Sequence, residues 1–270
     1  MMKKRFGFFV IVILTFHVFS LQAFAKEYQN IQYDWYFKPS KNHQPATTEP
    51  EFKQLLDKYG GIFIDDTDEK RLYLTFDNGY EQGYTGAILD VLREKRVPAA
   101  FFVTGHYIKE EPELVKRMVN EGHIVGNHSF NHPNFVQTGD AKIRKELESV
   151  EQLFKKVTGK KMPKYLRPPR GIFSERTLAI SSQLGYTNVF WSLAYKDWET
   201  NRQKGWKYAY DNVMKRVHPG AVILLHTVSK DNAEALGKMI DDLRKQGYTF
   251  HSLDELMIKR TLPHEWLFSP

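Results

Sequence analysis

The sequence predicts an α/β fold, a distorted (β/α)7-type barrel of parallel strands with an N-terminal strap. Three observations predict it. Apolar runs rich in β-branched and aromatic residues recur at 71–77, 99–104, 123–129, 164–169, 187–193, 221–227 and 248–253, the length expected of strands buried on both faces. Amphipathic stretches of helical period separate them, several closed by the glycine that commonly follows a helix end. No GxGxxG or GxxxxGK loop follows any run, which favours closure into a barrel over an open phosphate-binding sheet. A length of 270 residues fits one such domain.

Taken in order, residues 1–25 read as a secretory signal peptide. Lys3, Lys4 and Arg5 precede an apolar run at 8–21 and a small-residue site, Ala23-Phe24-Ala25, after which cleavage is expected. The run is shorter than the ~20 residues that a bilayer core needs. Losing those three cations lowers the formal charge from +7 to +4, too mild and too dispersed to support a nucleic-acid partner. Residues 26–70 are aromatic and turn-rich, with a short helical pattern at 51–59, and are expected to pack on the barrel as an extension. Helical patterns follow at 86–96, 112–122, 141–159, 174–185 and 232–247. The barrel domain is placed at 71–260 and a tail at 261–270. Apolar residues make up 41% and charged residues 26% of the chain, which excludes wholesale disorder. The absence of cysteine excludes disulfides, thiolate catalysis and Cys-ligated metal, so any metal must be held by His, Asp, Glu or Asn.

In a parallel α/β barrel, chemistry gathers at the carboxyl ends of the strands. Polar groups stand at five of these ends: Asp77-Asn78, then His128 with His132, then Arg167 and Arg170 in RPPRG, then Asp197-Trp198, then His226. Each has a plain alternative. Asp77 could cap a helix or anchor a turn, His226 could be a satisfied core histidine, and the arginines could form surface pairs. His128 and His132 are four apart, but Pro133 pushes His132 toward loop geometry; two close histidines can also occur by chance. The conjunction at one mouth favours a site.

These segments, TFDNGY, HSFNHP, RPPRG, the Asp197-Trp198 pair and LLHT, resemble in order and spacing the five motifs of the polysaccharide deacetylases, carbohydrate esterase family 4 with its NodB-homology domain. The resemblance spans 71–256. It is greatest to the delta-lactam-biosynthetic, or muramic, de-N-acetylase branch, because Asn78 stands where most members have Asp and Arg170 where most have an aromatic residue. It implies a divalent metal, zinc, on His128 and His132, which polarises the acetyl carbonyl and acidifies a water. Asp77 is implied as the base, Arg167 as its partner, and His226 as the acid supported by Asp197. The backbone N–H of residue 170 is implied to complete the oxyanion site. Asn78 removes a negative charge from the usual ligand set, so the metal should be weakly held.

Substrate contacts are expected from Arg170, Asn78 and Trp198. A guanidinium suits the lactyl carboxylate that distinguishes N-acetylmuramic acid from N-acetylglucosamine. The partner would then be a peptidoglycan strand already stripped of stem peptides by an amidase, with muramic delta-lactam of spore cortex as the outcome that the branch implies. A monomer exported to the cell envelope, in the forespore intermembrane space, is the matching setting. Two other functions stay open: a chitin-type or N-acetylglucosamine deacetylase, and a glycan-binding protein that lost catalysis through Asn78. A glycosidase ranks lower, because Asp77 and Asp197 sit among histidine and arginine instead of flanking a bond as a bare carboxylate pair.

Overall fold

A computed structural model describes residues 28–261. The expected leader at 1–25 and nearly all of the expected tail lie outside the described residues. All seven apolar runs contain strands of one parallel sheet: β1 (Arg71–Asn78), β2 (Ala99–Val103), β3 (Ile124–Asn127), β4 (Tyr165–Leu166), β5 (Thr187–Asn188), β6 (Ala221–His226) and β7 (Thr249–Phe250). Six of them curl in the order β6-β1-β2-β3-β4-β5, and β7 pairs with the first two residues of β1. The circle between β5 and β6 is spanned by one parallel bridge, Leu193 to Ile223. β4 and β5 hold two residues each. Beyond Leu166, Pro168 and Pro169 offer no backbone donor for the ladder. The result is a strongly distorted barrel.

Among the described residues the helices are α1 (Pro50–Tyr59), α2 (Thr85–Lys95), α3 (Gly105–Glu110), α4 (Pro112–Asn120), α5 (Asp140–Thr158), α6 (Glu175–Gln183), α7 (Trp206–Met214), α8 (Lys230–Lys245) and α9 (Leu253–Thr261). The sequence pattern does not single out α3 or α7. α3 is a single short helix started by the Thr104 hydroxyl, which accepts from Tyr107 N, and α7 shows only Ala209 and Val213 as buried positions. Both lack a long apolar stripe. No helix among the described residues is long and apolar enough to cross a membrane.

The main core lies between the sheet and helices α2, α4, α5, α7 and α8. A separate aromatic cluster ties the N-terminal segment to the opposite wall. Phe52, Phe63, Phe173 and Phe190 are buried there, with Tyr33, Trp35 and Trp191 packed against them. Tyr33–Asp34 pairs antiparallel with Ile172–Phe173, and Trp35 N donates to Gly171 O at 2.9 Å. Gly171 has φ +67, and a Cβ there would lie 2.8 Å from the Trp191 ring and 3.1 Å from Trp35. Only glycine lets the RPPRG turn approach this closely.

Candidate active site

Parallel register brings the expected residues together. Asp77 is the Cα partner of His226 on β6 and of Phe102 on β2, Asn78 pairs with Val103, and Val103 pairs with Asn127, the residue before His128. Asp77, His226 and the HSFNHP loop therefore share one end of the sheet.

Arg167 supports the floor. It is fully buried, lies 4.2 Å from the centre of the Phe102 ring, and donates from Nη1 to Asp77 Oδ1 (2.8 Å), from Nη2 to Thr75 Oγ1 (2.9 Å) and from Nε to Val189 O (3.0 Å). A guanidinium without water is tolerable here because its donors are matched to fixed acceptors. Burial works to raise the Asp77 pKa, but the Arg167 charge and the neighbouring imidazoles outweigh it and hold the carboxyl below its usual range. Asp77 Oδ2 faces His128 Nε2 at 3.6 Å.

The two histidines of HSFNHP turn their Nε2 atoms toward each other, 3.2 Å apart. His128 Nδ1 lies 2.8 Å from Arg167 O, so Nδ1 carries the proton and Nε2 keeps its lone pair. Burial lowers both pKa values, with His128 adding to the effect on His132, which is pushed down to about 3. Two neutral donors at this spacing fit a cation: zinc–nitrogen bonds of about 2.0–2.1 Å at a tetrahedral angle put the nitrogens about 3.3 Å apart. The third position expected of a donor is the neutral amide of Asn78. Asn78 gives Nδ2 to Thr227 Oγ1 (2.8 Å), and its Oδ1 is buried without a hydrogen-bond partner. Among the described residues, no three His, Asp or Glu side chains are grouped to hold a metal. Asn78 has no exposed surface, so its amide lies in the floor of the site.

His226 faces this pair from β6. Its Nδ1 lies 2.7 Å from Asp197 Oδ1, and its backbone N donates to Asp197 Oδ2 at 2.8 Å. Burial disfavours the charged ring, but Asp197 prevails and the pKa is raised. Asn232 Nδ2 donates to Asp197 Oδ2 (2.6 Å) and to His226 O (3.1 Å), while the Tyr195 hydroxyl donates to Asn232 Oδ1. Trp198 stands edge-on to the His226 ring with centroids 5.5 Å apart, and is 49% exposed. Arg170 is exposed with a left-handed backbone, φ 60 and ψ 7, and its charge acts on His132. Sequence reasoning missed Asn232 and Thr75. Asn232 is a polar, buried residue in the first turn of α8, a position that the pattern reads as a helix start.

Comparison with known proteins shows the family. The polysaccharide deacetylase profile matches residues 64–189. The chain is 53% identical over 240 residues to the peptidoglycan-N-acetylmuramic acid deacetylase PdaA of Bacillus subtilis, covering 89% of this chain and 91% of that protein. The solved structure of B. subtilis PdaA, described as a family 4 carbohydrate esterase, superposes with a TM-score of 0.84 at 54% identity, covering 86% of this chain and 99% of that one. A family 4 carbohydrate esterase from Bacillus anthracis superposes with a TM-score of 0.73 at 53% identity, covering 86% and 98%.

Proposed function

We propose that this chain, which belongs to the polysaccharide deacetylase family, hydrolyses the N-acetyl group of N-acetylmuramic acid residues in peptidoglycan. The observation that carries the chemistry is the register pair of Asp77 and His226, with the His128–His132 pair beside Asp77. The substrate is supported by likeness to a relative named for that activity and by the exposed Arg170.

His128 and His132 would hold a divalent cation, zinc by donor chemistry, with Asn78 Oδ1 as a neutral third donor. When bound, the ion polarises the acetyl carbonyl and acidifies a water. Asp77 is pinned through Oδ1 and has Oδ2 free to take the proton as the water oxygen bonds to the acetyl carbon. His226, with Nδ1 committed to Asp197, offers Nε2 to the departing nitrogen. The C–N bond breaks, acetate leaves, and the amine keeps the proton. The N–H of residue 170 sits in a turn suited to the developing oxyanion, and Trp198 walls the sugar beside His226.

Arg170 pairs with a free lactyl carboxylate, which requires an amidase to have removed the stem peptide. The freed amine can then close on that carboxylate with loss of water, giving the delta-lactam associated with spore cortex. The chain is organised for this as an exported envelope enzyme, with a leader at 1–25, an extension at 26–70, a barrel at 71–260 and a tail, acting as a monomer. Incubation with amidase-treated peptidoglycan should release acetate and yield muropeptides lighter by one acetyl on the muramic residue. Loss on N-acetylglucosamine instead would move the assignment to the sister activity. Arg170→Ala should lower kcat/KM on stripped strands by about ten- to a hundredfold, the effect of losing a charged hydrogen-bond pair; equal activity would remove Arg170 from carboxylate recognition.

A further inference from the structure

The loop that carries the two imidazoles is strained. Ser129 and His132 both adopt left-handed backbone, φ 63 and φ 56, a region that non-glycine residues hold only when their surroundings insist. Part of that insistence is local: Ser129 N donates to Asn127 Oδ1 (2.8 Å), and His132 N donates to Ser129 Oγ (2.9 Å). Gly105 clamps one edge, giving its N–H to Ser129 O at 3.1 Å and packing where a Cβ would meet the Phe130 ring at 2.2 Å.

The other edge is held from α5. Glu146 is 5% exposed, yet no cation among the described residues is paired with it. Its partners among the described residues are loop N–H groups: Oε2 accepts from Phe130 N (2.9 Å) and Asn131 N (2.7 Å), and Oε1 accepts from Asn131 Nδ2 (2.7 Å). α5 is rigid at this point, because Ile143, Leu147 and Val150, on either side of Glu146, are fully buried. A buried carboxylate spending its acceptors on consecutive residues between two metal-site histidines has the arrangement of a strut.

We infer that Glu146 is a positioning residue, which fixes the 129–132 turn so that His132 Nε2 stays opposed to His128 Nε2. The inference rests on the reading that this pair holds the metal, and the test separates the two. In Glu146→Gln the charge is lost and only one acceptor oxygen remains, so the NH2 group faces either the two backbone N–H groups or Asn131 Nδ2. Amide hydrogen exchange of Phe130 and Asn131, followed by NMR without metal, should quicken by about tenfold or more, while exchange in β1 and β6 stays as in the parent protein. Zn²⁺ affinity, measured by calorimetry on the same samples, should fall about ten- to a hundredfold, the range for lost outer-shell partners. Asn131→Ala keeps both backbone bonds and should show a smaller fall, which keeps the test usable where Glu146→Gln folds poorly. Unchanged exchange and unchanged Zn²⁺ affinity in Glu146→Gln overturn the inference. Faster exchange with no Zn²⁺ binding even in the parent protein leaves the strut standing and removes the metal reading.

Discussion

The same imidazole ring is driven in opposite directions on the two sides of this site. His226 keeps Nδ1 against the Asp197 carboxylate, and its pKa is raised despite burial. His128 keeps Nδ1 against a backbone carbonyl, faces a second imidazole, and is lowered together with His132. The identity of the distal partner explains the difference: a carboxylate makes the ring a proton source, while a carbonyl and a neighbouring ring leave it a neutral lone-pair donor. Burial alone would have neutralised all three.

The largest expected effect breaks the lone-pair side. His132→Ala should abolish Zn²⁺ binding by calorimetry and lower acetate release by at least about 10³-fold, as expected when several kcal/mol of charge stabilisation is lost. A variant that still binds zinc and turns over would mean that the opposed rings are only a packing arrangement. Next in size is the floor beneath both sides. Arg167→Met leaves Asp77 buried without its partner and should cost about 3–5 kcal/mol of unfolding free energy, read from urea denaturation. A cost below 1 kcal/mol would show that water reaches Asp77 and relieves it.

Strand-end residues were legible because the architecture itself selects them. Seven apolar runs implied parallel strands, parallel strands implied chemistry at one end, and Asp77, His128, Arg167 and His226 could be picked from those ends by position, while Asp197 lies in the loop well beyond β5. The supporting residues were not legible, since nothing in their local pattern departs from ordinary helix or strand. Glu146 lies in a charged amphipathic stretch, KELESVEQ, in which its burial depends on the loop that folds over it. Thr75 looks like a strand interior residue, and its hydroxyl joins the site because Arg167 arrives from 92 positions away. Asn78 shows the limit from the other direction: its position and chemistry are legible in the sequence, but its complete burial and its bond to Thr227, in the turn after β6, are not.

The proton-source side is sharpened by Asp197→Asn. With Asp197 neutral, His226 loses the charge that raises its pKa, so the alkaline limb of kcat/KM should move to lower pH and kcat at pH 7 should fall about 10–100-fold, within the range of an impaired general acid. Stability carries the same sign. A raised folded-state pKa contributes fully below the unfolded value of about 6.5 and is lost as pH rises through the folded value. The stability gap between parent and variant should therefore be widest in mild acid and narrow on the alkaline side. A gap independent of pH would assign Asp197 a role in hydrogen bonding to His226 N and Asn232 alone.

The smallest expected change adds to the lone-pair side the carboxylate it lacks. Asn78→Asp is nearly isosteric, and the Thr227 hydroxyl, now an acceptor from Asn78 Nδ2, can rotate to donate to the new carboxylate. The fold therefore gives little reason for the substitution to fail. With zinc present, the added charge should tighten binding by about tenfold or more, because an ionised third ligand replaces a neutral carbonyl. Without zinc, the same charge is buried at a position that already holds an unpartnered oxygen, and the protein should melt at a lower temperature than the parent. Opposite signs in the two states are the specific expectation. Equal zinc affinity in the two proteins would place residue 78 outside the donor set and leave the two imidazoles to bind the ion with water and substrate alone.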